Sequence, residues 1–176
     1  FQYFGEWTIA KNPQMQAIKE KVRSLAFAQL ESNSRGSKPG LADFIILFKK
    51  PGEPRNKIVP DVSRDEWIEW ANGVWTGIRE GNTLNVRGSK SEEDEKHICP
   101  MNLTVIERCT RLYSAENELI LDPFMGIGST GYEALRLKRK FLGIELKKEY
   151  FDVANKNLNK ILERRNERSL IKLRRK

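Results

Sequence analysis

The apolar positions of this chain fall into runs and stripes that mark out its elements. Gly5 to Ala10 reads as a short extended piece. Asn12 and Pro13 form a helix start, and Met15, Ile18, Val22, Leu25 and Ala26 then lie on one face of a helix reaching about Leu30. Leu41 to Phe48 is apolar almost throughout, which predicts a strand buried on both faces. Ser63 to Glu66 has the spacing of a capping box, so a helix begins there, with Trp67, Trp70 and Val74 on one face. His97 to Tyr113 predicts a further helix after an irregular start near Pro100; its buried stripe is Leu103, Ile106, Cys109 or Thr110, and Tyr113.

The most structured stretch lies at 118–145. Leu119 to Leu121 reads as a buried parallel strand, ending at Asp122 and Pro123. Gly126, Gly128 and Gly131 follow, then an amphipathic segment from Tyr132 to Leu137, a second apolar run at 141–144, and Glu145. Lys148 to about Arg165 is helical in pattern, with Phe151, Ala154, Leu158 and Ile161 facing in and a tail that continues helical and frays. Strand, glycine loop, helix, strand and acid together suit a nucleoside-bearing cofactor. Glycine allows close backbone approach, the helix start offers free N–H groups, and an acid 19 residues after Gly126 can accept bonds from ribose hydroxyls. Gly126-Ile-Gly128-Ser-Thr-Gly131 also matches the dinucleotide fingerprint, so an NAD-binding oxidoreductase competes at this point.

Charge changes the picture at the ends. The net charge is +8, and residues 159–176 carry eight Lys or Arg against two Glu. That balance favours a polyanion, nucleic acid first, against the plain alternative of a solvated helix end. Residues 31–40 form a polar loop, read as a mobile connection before a segment ordering on DNA through Arg35 and Lys38. The acidic run Glu92 to Glu95 would repel phosphate. Trp67, Trp70 and Trp75 invite a base-stacking role, but helical spacing places the first two in the core. Cys99, Cys109 and the single His97 do not make a zinc set, and no run is long enough to span a bilayer. Reduced thiols and a cytoplasmic setting are the expectation.

Asp122-Pro-Phe124-Met-Gly126-Ile-Gly128-Ser129-Thr130 resembles the S-adenosylmethionine (SAM) loop of DNA methyltransferases that modify exocyclic amino groups. Phe141-Leu-Gly-Ile-Glu145 with Tyr150 and Phe151 resembles the next motif of that family. The order of segments is similar to the permuted, beta-class group, with His97 to Asn102 leading a helix that carries Glu107 and Arg108. Ile98 and Pro100 depart from that group's pattern. Trp67 through Asn85 resembles a branch common in phages and prophages.

The resemblance implies an α/β fold, part of a Rossmann-like methyltransferase sheet with core strands at 41–48, 118–122 and 140–145. It implies helix and strand of the core in 1–50, a target-recognition region in 51–96, a SAM-binding part in 97–165 and a basic tail in 166–176. Implied cofactor residues are His97, Asp122, Phe124, Gly126, Gly128, Ser129, Thr130 and Glu145, the last on the ribose. The implied activity is site-specific methylation of adenine, less readily cytosine, in double-stranded DNA, as in restriction-modification systems. The family's Pro-Pro-aromatic catalytic motif occurs nowhere in these residues. We therefore expect a carboxyl-terminal portion whose catalytic part lies upstream, inactive alone. A homodimer is a further expected partner arrangement, and an inactive DNA-binding or regulatory remnant is the remaining alternative.

Overall fold

The computed structural model describes the chain except residues 54–57, 60, 85–99 and 175–176, with side chains described as far as residue 165. It separates into two compact units, residues 1–55 with 64–80 and residues 56–63 with 81–176.

The first unit is built on a three-stranded sheet in the order β2-β1-β3. Strand β1 (Gln2–Ile9) pairs antiparallel with β2 (Asp43–Lys49) and parallel with the short β3 (Val74–Trp75). The extended piece foreseen at 5–10 is thus a full central strand. Among the described residues strand β2 is an edge strand with one neighbour, not a strand buried on both faces. Phe44, Ile46 and Phe48 are exposed on one side, and only Ile45 and Leu47 are half-buried on the other.

The helix expected from 13 to 30 is broken. Asn12 does cap α1 (Pro13–Glu20), its side chain accepting from the N–H groups of Gln14 and Met15. Lys21 then turns left-handed with φ 55°, a 3-10 turn covers Arg23–Leu25, and α2 runs Phe27–Ser32. The inward residue of α1 is Gln16, whose amide donates to Leu41 O at 2.6 Å and accepts from Leu41 N at 3.0 Å. Met15 and Ile18, placed on the apolar stripe by spacing, are exposed because that polar anchor sets the helix rotation.

Helix α3 (Arg64–Trp70) starts where the capping-box pattern puts it but ends after seven residues. The chain then turns, with Asn72 Oδ1 accepting from Val74 N, so Val74 lies on β3 and the expected stripe is never completed. Trp67 is exposed. The core instead takes Trp70, and Trp75 at 1 % exposure. Trp70 O accepts the indole N–H of Trp7 at 3.0 Å and of Trp75 at 2.9 Å, and the rings of Trp7 and Trp75 lie 5.6 Å apart. A buried indole needs a partner for its N–H, and one carbonyl serves two. This use of Trp75 leaves it no face for a base.

The second unit carries α4 (Leu103–Tyr113), β4 (Leu119–Asp122), α5 (Ser129–Arg136), β5 (Lys140–Gly143) and α6 (Lys148–Arg174). Strands β4 and β5 are parallel in the register Leu119 to Lys140 through Asp122 to Gly143. Helix α4 begins at Leu103, capped by Asn102 Oδ1 on the N–H groups of Thr104 and Val105. Leu103, Ile106 and Thr110 are buried as expected, with Val105 added, while Tyr113 is exposed. On α6, Ala154 and Ile161 face in, joined by Val153, while Phe151 remains 41 % exposed. The parallel pairing fits the sequence pattern; burial on both faces does not. Leu119, Leu121, Leu142 and Ile144 are each more than half exposed. Among the described residues the sheet has only two strands, and α5 packs on one side of it.

Gly131 shows how tight that packed side is. A Cβ there would sit 2.5 Å from the Phe141 ring and 2.8 Å from a Leu158 methyl. The third glycine of the loop pattern thus serves helix-to-strand packing. Gly131→Ala should cost about 1–3 kcal/mol by overpacking, read as a lower urea midpoint with unchanged slope.

Candidate cofactor site

The site forms at the carboxyl ends of β4 and β5. Asp122 ends β4, and its Oδ1 accepts from Phe124 N at 3.0 Å, turning the chain out of the strand. Met125 N donates to Ile144 O at 3.0 Å, and Ile144 N to Asp122 O at 2.9 Å, which ties the loop across both strand ends. Gly126 and Gly128 take φ values of 53° and 86°. Gly128 is also in contact with Ala154 of α6, where an added Cβ would come within 3.2 Å. It stands at the N-cap of α5, and no side chain caps that helix. Tyr132 N is the first amide to bond back, to Gly128 O at 2.8 Å, so the first-turn N–H groups face outward as donors.

Glu145 closes the arrangement. One carboxylate oxygen accepts from Gly126 N at 2.8 Å and the other from Lys147 N at 2.9 Å. Strand end and glycine loop are thereby joined through one acid. Each carboxylate oxygen has a second lone pair, so further hydroxyl donors can be accepted without breaking these bonds.

Beside the loop is a cleft of about 530 Å³, within the range of small-molecule sites. Asp122, Phe124, Gly126, Ser129 and Thr130 line it. Gly128 and Glu145 are not on its wall: Gly128 packs behind the loop, and Glu145 reaches it through the Gly126 amide. Phe124 is 88 % exposed, a ring standing at the rim. His97 lies outside the described residues. Pro100, Met101, Met125, Ile127 and Tyr150 also line the cleft and were not among the cofactor residues expected from sequence. Another residue that sequence missed is Asn157 of α6, whose amide donates to Ile127 O at 2.9 Å and holds the crest of the loop. Local pattern gives no sign of it, because its partner lies 30 positions away.

A partly buried polar network joins α4 and α5. Glu133 on α5 bonds Arg136, which also pairs with Glu107 of α4 at 3.0 Å; burial pushes the Glu133 carboxyl up. Cys109 on α4 is half-buried, and the burial it has raises its thiol to about 11. At pH 8 only about one thiol in a thousand would be thiolate. Iodoacetamide should therefore leave Cys109 unmodified in the folded protein and alkylate it in urea, as read by peptide mass. No group of acids, cysteines or histidines among the described residues could hold a metal ion. No helix among them is long and apolar enough to cross a membrane.

The profile of the DNA methylase family, the N6/N4 group, matches residues 7–156. The chain belongs to the DNA methylase family. It is 33% identical over 135 residues to the type II methyltransferase M.BglI of Bacillus subtilis, covering 74% of this chain and 34% of that protein. It is 40% identical over 87 residues to the type II methyltransferase M2.LlaDCHI of Lactococcus lactis subsp. cremoris, covering 49% and 30%. The chain thus spans about a third of the length of these relatives. Its fold is similar to that of a protein of Thermus thermophilus described as a DNA modification methylase and crystallised with S-adenosyl-L-methionine. That likeness has a TM-score of 0.64 at 19% identity and covers 92% of this chain and 54% of that one. The cytosine-N4-specific PvuII DNA methyltransferase gives a TM-score of 0.53 at 18% identity, with 92% and 56% covered. The fold is that of the SAM-dependent DNA methyltransferases, with small sheets.

Proposed function

We propose that this chain binds SAM and contacts double-stranded DNA as the donor-holding part of an amino-group DNA methyltransferase. The observation that carries the reading is the Gly126 N–H bonded to the Glu145 carboxylate, beside an open cleft at the ends of two parallel strands. The residues present fit the cofactor. Glu145 would take the ribose hydroxyls, and the uncapped start of α5, at Ser129 and Thr130, would take the methionine carboxylate. Phe124 and Asp122 would border the methionine end, and Gly126 and Gly128 allow close backbone approach. His97 belongs to the same proposed set. Family membership favours SAM over NAD for this loop.

SAM supplies an activated methyl group when bound. The chain's own part is to fix the donor, exclude water at the loop and hold DNA nearby, because such transfer depends mainly on positioning. The acceptor proposed is the exocyclic amine of adenine, with cytosine second, in a modification system of the beta class and phage type. No Pro-Pro-aromatic sequence is present here to hold a flipped base. The chain alone is therefore proposed to transfer no methyl group, the base-holding part coming from a separate portion of the enzyme. Residues 51–96 and the basic carboxyl-terminal helix are the proposed DNA contacts, and a homodimer and a cytoplasmic setting complete the reading. Calorimetry tests it: SAM should bind and be displaced by S-adenosylhomocysteine but not by NADH. Binding of NADH alone, or methylation of duplex DNA by the purified 176-residue chain, would contradict the respective part.

A further inference from the structure

The stretch read from sequence as a mobile connection is folded. Lys38 N donates to Ser24 O at 3.1 Å and closes the segment from 24 to 38 on itself. Inside it, Asn33 organises the turn. Its Oδ1 accepts from Arg35 N at 3.2 Å, and its carbonyl accepts from Gly36 N at 3.0 Å and from the Gln29 side chain at 3.0 Å. Gly36 is pressed against Gln29, where a Cβ would come within 2.5 Å of the amide nitrogen. The closure sets Lys38 beside the 3-10 turn that carries Arg23, and Lys21 sits at the left-handed end of α1 just before it. Arg35 lies on the second 3-10 turn, Ser34–Gly36.

Pairing separates these cations from others of the same unit. Lys11 is bonded to Asp43 at 2.6 Å and Lys19 to Glu80 at 2.9 Å. Lys21, Arg23, Arg35 and Lys38 have no ion-pair partner among the described residues. Lys21, Arg23 and Arg35 project from turns at the surface of the unit, and Lys38 follows them on the irregular stretch that closes the loop. The nearby acids in sequence are Glu20 and Glu31. Hydroxyls of Ser32 and Ser34 and the exposed Phe27 and Leu30 stand among them. Charged groups held on a folded turn without partners lose little entropy when an anion array arrives. Release of counterions from that array then favours binding.

We infer that residues 21–38 form a phosphodiester-binding surface for duplex DNA, additional to the recognition region and the basic tail. The inference rests on the methyltransferase reading for the identity of the polyanion. Its chemistry is backbone contact, which positions the protein on the duplex without reading sequence. Lys21, Arg23, Arg35 and Lys38 supply the charge, and the Asn33 turn supplies the rigidity.

The test is a salt titration of binding to a fluorescein-labelled DNA duplex, followed by anisotropy. The parent chain is compared with the variant carrying K21Q, R23Q, R35Q and K38Q, and with a control carrying K49Q and K50Q. Each phosphate left without its cation lowers the slope of log affinity against log salt by about 0.9. The fourfold variant should therefore lose about 2–4 from the slope and about 10–100-fold in affinity at low salt. SAM binding by calorimetry should stay at the parent value, since none of these residues lines the cleft. The control should lose less per charge removed. A fourfold variant with the parent's slope, or one losing no more per charge than the control, overturns the surface while leaving the methyltransferase reading intact. A parent that binds neither duplex nor SAM overturns that reading. Should the fourfold variant melt early, the R23Q and K38Q pair alone, expected to lose about 1–2 from the slope, decides in the same way.

Discussion

Glu145→Ala should lower SAM affinity by about a hundredfold or more, measured by calorimetry. Two hydrogen bonds from ribose hydroxyls to a carboxylate contribute about 1.5–3 kcal/mol each, and tenfold in affinity is about 1.4 kcal/mol. The change also frees the amides of Gly126 and Lys147, so the loop loses its tie to the end of β5. Glu145→Gln separates the two effects. Its single carbonyl oxygen can keep one amide contact, while its NH2 group would oppose the other. An intermediate loss is expected. If Glu145→Ala binds SAM like the parent, the acid does not hold the ribose and the cofactor assignment fails.

The second large effect is expected at Arg139, far from any ligand role. Its side chain is fully buried. Nε donates to Ser114 Oγ at 3.1 Å, Nη1 to Leu137 O at 2.7 Å and Nη2 to Ser114 O at 2.5 Å. Both carboxylate oxygens of Asp61 are engaged, at 2.9 and 3.2 Å. Arg139→Met leaves these carbonyls buried without a donor and should cost about 3–5 kcal/mol in urea unfolding. Asp61→Asn should cost less, because Asp61 is 41% exposed and solvent screens its charge. Hydrogen bonding from Arg139, then its charge, holds the Asp61 carboxyl below its ordinary value. A depressed carboxylate stabilises the fold above its unfolded pKa and loses that contribution as pH falls through the folded value. The stability gap between parent and Asp61→Asn should thus be constant above about pH 5 and shrink below about pH 4. A gap that persists into strong acid would show that the carboxylate charge is not what holds the segment.

What the sequence made legible was what leaves a local mark. Positive φ at Gly126 and Gly128, the Asp122 turn, the cap at Asn12, and the parallel pairing of 119–122 with 140–143 all have short-range signatures. Side-chain burial was less legible, because it depends on neighbours that a run of apolar residues cannot name. Phe44 and Leu121 belong to strands as apolar as any buried one, yet each has an uncovered face. Met15 and Ile18 were displaced by one buried amide, Gln16, whose partner is 25 positions on. Arg139 carries no local sign of its role, because its partner lies 78 positions earlier. Within the site, Asn157 comes from the helix after the second strand, and its part depends on tertiary placement.

The path of the chain through its two units bears on how such proteins can be recombined. Residues 51–96, the stretch proposed for target recognition, include β3 and Trp75, which complete the first unit, and Asp61, which is bound to Arg139 in the second. A cassette exchanged at those boundaries between relatives would carry away a strand from one unit and an ionic anchor from the other. A transplant that keeps Asp61, Trp70, Val74 and Trp75 from the recipient, and moves only the residues between and after them, should yield soluble protein where the whole-segment swap does not. On the proposed recognition role of 51–96, new specificity would be reached by exchanging patches within the stretch, since the stretch as a whole is not a detachable module.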